Sequence, residues 1–136
     1  QQLDGLVSLL PKTAVTGAVG IYDAYLGKLL RGMFQSKPEI LDSSDRKLSY
    51  KDLVTHASID TARNYIIEKE VETVLRKSHA EQFEWLETKL GIPLRKGLDA
   101  WKDFIEITER RNLLVHTDGI VSSQYLAVCR EHSVVP

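Results

Sequence analysis

The stretch Thr13–Gln35, TAVTGAVGIYDAYLGKLLRGMFQ, carries the strongest structural signal in the chain. Its apolar residues recur every three or four positions, at Val15, Val19, Tyr22, Leu26, Leu29, Leu30 and Met33. This spacing gives a helix one apolar face. Pro11 stands just ahead of the stretch and Pro38 just beyond it, where prolines commonly bound helices. The pattern therefore predicts a long helix over residues 13–35.

Small residues form a second stripe on this predicted helix. Gly20, Ala24 and Gly27 follow each other at spacings of four and three, so they share one side of the helix. A second helix can approach closely along such a stripe. Packing inside one chain is the favoured explanation of this stripe, and a seam between two copies is the alternative.

The remainder of the chain is also helical in pattern. Ser49-Tyr50-Lys51-Asp52 and Ser78-His79-Ala80-Glu81 have the form of capping boxes, which begin helices. Apolar residues at helical spacing indicate further helices over residues 60–75, 79–90, about 98–116 and 123–131. The polar segment 42–45 predicts a surface connection, and alternation typical of strands is nearly absent. We therefore expect an all-α bundle of five to six helices.

Length and composition are those of an ordinary globular protein. At 136 residues the chain can bury a hydrophobic core, and we expect a single domain over residues 1–136. Because it begins with Gln1 rather than Met, it is also consistent with a piece of a longer protein that has additional domains. Lys and Arg number 18 against 19 Asp and Glu, so any nucleic-acid surface must be a local basic patch.

Cysteine usage and hydropathy bear on the compartment. The single Cys129 excludes an internal disulfide and a thiolate zinc site, which fits a reducing environment. The chain has no uncharged apolar run of about 18 residues, so we expect no membrane span. Its N-terminus lacks the pattern of a secretory signal, and we expect a cytoplasmic location.

Residues 109–119, ERRNLLVHTDG, are the one segment where the sequence indicates chemistry. Glu109, Asn112 and His116 are spaced by three and four, so they share one stripe of a helix, which Thr108 extends. Arg111 lies instead on the face expected to be buried, where it needs an anion or another acceptor. About 140° of helical rotation separates Arg111 from His116. They converge only if the helix unwinds near His116 or if a second copy supplies the complement, and the Asp118-Gly119 stop favours unwinding.

Arg111-Asn112, three apolar residues and His116 resemble the Arg-x4–6-His signature of the HEPN superfamily. Glu109 before it and Asp118-Gly119-Ile120-Val121 after it resemble a bacterial branch found in antiphage and toxin–antitoxin systems. The similarity covers about a dozen residues. It implies a HEPN-like helical bundle that forms a symmetric homodimer, brings two motifs into one cleft and cuts RNA there without metal or cofactor.

The resemblance also implies a role for each residue of the motif. His116 becomes the proton-transfer group, Arg111 the phosphate clamp and Asn112 the polar residue that orients one of them, with Glu109 in support. The products would be a 2′,3′-cyclic phosphate and a 5′-hydroxyl. Arg110 and Lys102 are candidate contacts to the RNA backbone, although ordinary solvated charges explain them equally well.

Two alternatives stay open. In the first, Arg111 merely pairs with a buried carboxylate and His116 merely caps its helix. In the second, the chain is a catalytically silent HEPN-like module that dimerises or binds a nucleotide within a larger assembly. Additional domains or a regulatory partner are compatible with either the nuclease or the silent module. The remaining histidines lack the spacing of metal ligands, so we expect no metal site.

Overall fold

Helices occupy most of the chain, and no strand occurs between residues 2 and 135, which confirms the all-α prediction. The structure is a computed structural model that describes the backbone of residues 2–135 and the side chains of residues 9–135. Its helices are α1 (Gln2–Ser36), a 3₁₀ helix (Pro38–Ser43), α2 (Tyr50–Thr55), α3 (Ile59–Leu75), α4 (His79–Leu90), α5 (Trp101–His116) and α6 (Ser123–Glu131). None of the described helices has the length and apolarity needed to cross a membrane.

The first helix is longer than its sequence pattern predicts. Pro11 lies inside α1 rather than ahead of it, and the helix already includes Gln2. An interior proline forfeits one backbone hydrogen bond, but its fixed φ is that of a helix, so the chain can continue through it at some cost. At the other end, the 3₁₀ helix replaces the first half of the predicted connection over residues 42–45.

The predicted capping boxes are both confirmed. The Ser49 hydroxyl accepts from the Asp52 backbone N–H at 3.1 Å, while the Asp52 carboxylate accepts from the Ser49 N–H at 3.0 Å. Ser78 and Glu81 make the same reciprocal pair at 3.3 Å and 2.8 Å. Ser58 forms a further box that the sequence did not reveal, because its partner is Thr61 rather than an acidic residue.

The backbone divides into two compact units, one over residues 24–90 and the other of residues up to Asp23 together with those from Gly91 onward. The expectation of a single domain stays a prediction. In the unit over residues 24–90, the buried apolar side chains are Leu26, Leu30, Phe34, Ala62, Ile67, Val71, Val74 and Leu86. A Cβ on Gly27 would lie 3.4 Å from a methyl carbon of Leu75, so Gly27 serves packing inside one chain, whereas a Cβ on Gly20 would meet nothing within 4 Å.

The other unit contains the segment with the candidate chemistry. Its buried side chains include Val19 from α1, Ile105 and Leu113 from α5, and Tyr125 and Cys129 from α6. The Tyr22 and Phe104 rings meet edge to face with their centroids 5.1 Å apart. This core fixes α5 between α1 and α6.

Candidate functional site

A pocket of about 370 Å³ lies where the last two turns of α5 face the start of α6. Its lining residues are Glu109, Asn112, Leu113, His116, Thr117, Ser122, Gln124 and Tyr125. The pocket therefore collects the three polar residues that the sequence places on one stripe of α5. Thr108, the fourth member of that stripe, is buried in the core and donates to the Ile105 carbonyl at 2.9 Å.

His116 is the last residue of α5 and is exposed. Within residues 9–135, no hydrogen bond, ion pair or ring contact engages its imidazole. The helix ends because Asp118 and Gly119 adopt positive φ values of 54° and 85°.

Asn112 and Glu109 form the next part of the same wall. Both are half-buried, and the Asn112 Nδ2 donates to a Glu109 carboxylate oxygen at 3.5 Å, which is a long hydrogen bond. The second Glu109 oxygen has no partner among the described residues. The wall thus offers an amide and a carboxylate with spare bonding capacity.

The opposite wall comes from α6, and no pattern in the sequence indicates that it belongs to the site. Ser122 caps α6 by accepting from the Tyr125 N–H at 3.1 Å. The buried Tyr125 hydroxyl donates to Glu106 at 2.8 Å. Burial, followed by the Glu106 hydrogen bond, raises the pKa of Tyr125 above its usual value, so the hydroxyl remains a donor at neutral pH. Gln124 completes the wall with an exposed amide.

Arg111 does not line this pocket. Its Nη2 lies 2.9 Å from a carboxylate oxygen of Asp23 on α1, and the two side chains are 20% and 35% exposed. The expected partner for a guanidinium on this face is therefore present. It is also the kind of pairing expected if Arg111 has only a structural role and His116 only caps its helix.

The unwinding that would bring Arg111 toward His116 does not occur. α5 remains helical through His116, and the chain leaves the helix only at the C-cap residue Thr117. Five residues of intact helix keep the two side chains about 140° apart. Val115, which lies one turn after Arg111 on the same side of α5, is 50% exposed. Of the two routes to convergence, only a second copy of the chain is left.

Arg110 and Lys102 lie at a different pocket. Together with Asp103, Glu106 and Ile107 they line a depression of about 610 Å³ near the C-terminal end of the described chain. The Arg110 Nε donates to Glu106 at 2.7 Å, so part of its charge is already neutralised. Their role as RNA contacts stays a prediction, and it is not supported by proximity to His116.

Neither a metal-binding cluster among the described residues nor a known relative indicates the function of this site. The described residues contain no group of three or more His, Cys, Asp or Glu arranged to hold a metal ion. Comparisons of the chain with models of protein families, with curated proteins and with solved structures found no match. The geometry of the pocket and the sequence motif are therefore the basis for a functional proposal.

Proposed function

We propose that this chain is a HEPN-like endoribonuclease that acts as a homodimer and needs no metal ion. The observation that supports it best is the pocket at the end of α5, which holds Glu109, Asn112 and an unengaged His116 side by side. The chemistry required is modest, because RNA carries its own nucleophile in the ribose 2′-hydroxyl. A bacterial toxin or antiphage setting, with a regulatory partner, follows from the motif resemblance alone.

The reaction is an internal transesterification. One imidazole removes the 2′-hydroxyl proton, the 2′-oxygen forms a bond to phosphorus, and the bond from phosphorus to the 5′-oxygen breaks. A second imidazole gives a proton to the departing 5′-oxygen. The products are a 2′,3′-cyclic phosphate and a 5′-hydroxyl. His116 from each of two copies supplies the base and the acid.

A cation from the second copy completes the site. The pocket itself carries the Glu109 carboxylate and the negative end of the α5 dipole, which both disfavour a phosphate unless a positive charge offsets them. Arg111 of the same chain lies on another face of α5. We assign the phosphate clamp to Arg111 of the other copy, whose planar fork of donors matches phosphate oxygens.

A silent binding module is the second candidate. The specific observation in its favour is the Arg111–Asp23 ion pair, which occupies the guanidinium in the single chain. In that case dimerisation or nucleotide binding would remain, without cleavage.

Cleavage of a labelled mixed-sequence RNA in excess EDTA separates the two candidates. The nuclease proposal expects products with cyclic-phosphate and 5′-hydroxyl ends from the wild type, and a loss of at least about 100-fold for His116→Ala. His56→Ala is a matched control, because His56 lies in the other compact unit against the Tyr65 ring. An inactive, folded and dimeric wild type, or equal activity in both variants, would reject the nuclease.

A further inference from the structure

Several polar groups that line the His116 pocket already form hydrogen bonds within the chain. The Ser122 hydroxyl accepts from the Tyr125 N–H, and the Tyr125 hydroxyl donates to Glu106. The Thr117 hydroxyl lies 3.0 Å from the Leu113 carbonyl and 2.8 Å from the Ile120 carbonyl. The groups with bonding capacity left in the described chain are one Glu109 oxygen, the His116 imidazole, the Gln124 amide and the Asn112 amide, whose only hydrogen bond is the long one to Glu109. These are the groups left to recognise a ligand.

Glu109 and His116 define the two ends of the pocket along α5. They are seven residues apart, which places them on the same face with about 10 Å of helical rise between them. That distance is comparable with the reach of a nucleotide from the edge of its base to its phosphate. A phosphate is repelled by a carboxylate, so a nucleotide would place its phosphate toward His116 and its base toward Glu109.

The Glu109 carboxylate, which has one oxygen without a partner and one in a long hydrogen bond to Asn112, selects among the four bases, because an ionised carboxylate only accepts hydrogen bonds. Guanine presents two adjacent donors, N1–H and the N2 amino group, which match its two oxygens. Adenine and cytosine each place an unprotonated ring nitrogen beside their amino group, and uracil places carbonyls on both sides of its single N–H. Each of these three bases would bring an acceptor against the carboxylate.

We infer that the pocket binds guanosine, with Glu109 as the specificity-determining residue and Gln124 as a donor to the guanine O6. The inference rests on the proposed function for the placement of the phosphate, and it names the nucleotide on the 5′ side of the cleaved bond. Base-edge recognition of this kind is how proteins read unpaired RNA. A carboxylate that accepts hydrogen bonds from two guanine donors also discriminates against the other three bases, because they leave polar groups of the site without partners.

Titration of the full chain with the four nucleoside 3′-monophosphates tests the inference without requiring cleavage, since none of them contains a scissile internucleotide bond. Isotope-labelled protein followed by NMR gives both affinity and location. We expect 3′-GMP to bind the wild type at least about tenfold more tightly than 3′-AMP, 3′-CMP or 3′-UMP. Glu109→Gln should reduce this preference to about twofold or less, because its amide presents one acceptor and one donor. Glu131→Gln removes an exposed carboxylate from the end of α6 and should leave the preference intact.

The outcomes of the two experiments are distinguishable. Equal affinity for all four nucleotides, preference for another base, no binding, or an unchanged preference in Glu109→Gln would overturn guanosine recognition. If RNA is cleaved without a guanosine preference, the specificity inference fails and the nuclease stands. If 3′-GMP is preferred through Glu109 but RNA is not cleaved, guanine recognition stands and the nuclease fails.

Discussion

The Arg111 guanidinium on α5 donates to the Asp23 carboxylate on α1 across 2.9 Å, although the two residues lie 88 positions apart in the sequence. The Arg111 Nε is buried and has no partner among the described residues. Because this Nε is buried, a phosphate oxygen can reach only the exposed part of the guanidinium, whose side chain is 20% exposed. The ion pair therefore anchors α5 on α1, and it holds the Arg111 cation in a fixed position.

Asp23→Asn should destabilise the protein by about 1–2 kcal/mol, because it leaves a partly buried guanidinium without its counter-charge. Denaturation in urea, followed by circular dichroism, measures the change. Asp60→Asn is the matched control, since Asp60 is 81% exposed in its pair with Arg63 and should contribute less than about 0.5 kcal/mol. Equal losses in the two variants would show that the Arg111–Asp23 pair anchors nothing.

Val115→Asp should convert a dimer into a monomer and abolish cleavage. Val115 and Ile107 lie one turn to either side of Arg111 on α5, and they are 50% and 43% exposed. A charge placed there opposes burial against a second copy. Sedimentation velocity reports the oligomeric state and circular dichroism the retained helix. Val54→Asp, on an exposed position of α2, is the control and should leave both dimer and cleavage unchanged. A monomeric wild type would refute the composite site.

The contribution of Glu68 to stability should depend on pH. Arg31 Nε and Nη2 donate to the two Glu68 oxygens at 2.7 Å and 2.8 Å, and this hydrogen bonding lowers the pKa of Glu68 below its usual value. A depressed pKa stabilises the folded state above the unfolded pKa of about 4.3, and the contribution is lost as pH falls through the folded value.

Both side chains of this pair are more than 40% exposed, so Glu68→Gln should cost less than about 1 kcal/mol at pH 7. Urea denaturation of the wild type and the variant at pH 7 and at pH 2.5 should give a difference that shrinks at low pH. A difference that grows on acidification would contradict the assignment.

Local signals predicted the helices well, since each depends on a few neighbouring residues. The Ser49 and Ser78 capping boxes mark true helix starts, and Asp118-Gly119 marks the end of α5. Pro11 misled the placement of α1, because a proline that commonly starts a helix can also lie within one. The start of α5 at Trp101 rather than about residue 98 also depends on a turn, in which the Trp101 N–H donates to the Leu98 carbonyl.

Sequence patterns did not predict which residues from distant parts of the chain contact the site. The spacing of Glu109, Asn112 and His116 predicted a shared face, and the pocket confirms that they lie together. The facing residues Gln124 and Tyr125 become part of the pocket only because α6 folds back against α5. Similarly, the burial of Arg111 predicted an acceptor, but no pattern in the sequence identifies Asp23 as that acceptor.

Arg111 variants separate an anchoring role from a phosphate-binding role. Arg111→Ala should reduce RNA cleavage by at least about 100-fold, as expected when a donor to the transition-state phosphate is lost. Arg111→Lys keeps a positive charge beside Asp23 but loses the planar fork, so it should remain folded and still lose most cleavage. Asp23→Asn is the informative comparison, because it breaks the same ion pair and keeps the guanidinium. At a temperature where all three variants are folded, Asp23→Asn should retain far more cleavage than Arg111→Ala. If the two cleave equally, Arg111 serves only to hold α5 against α1.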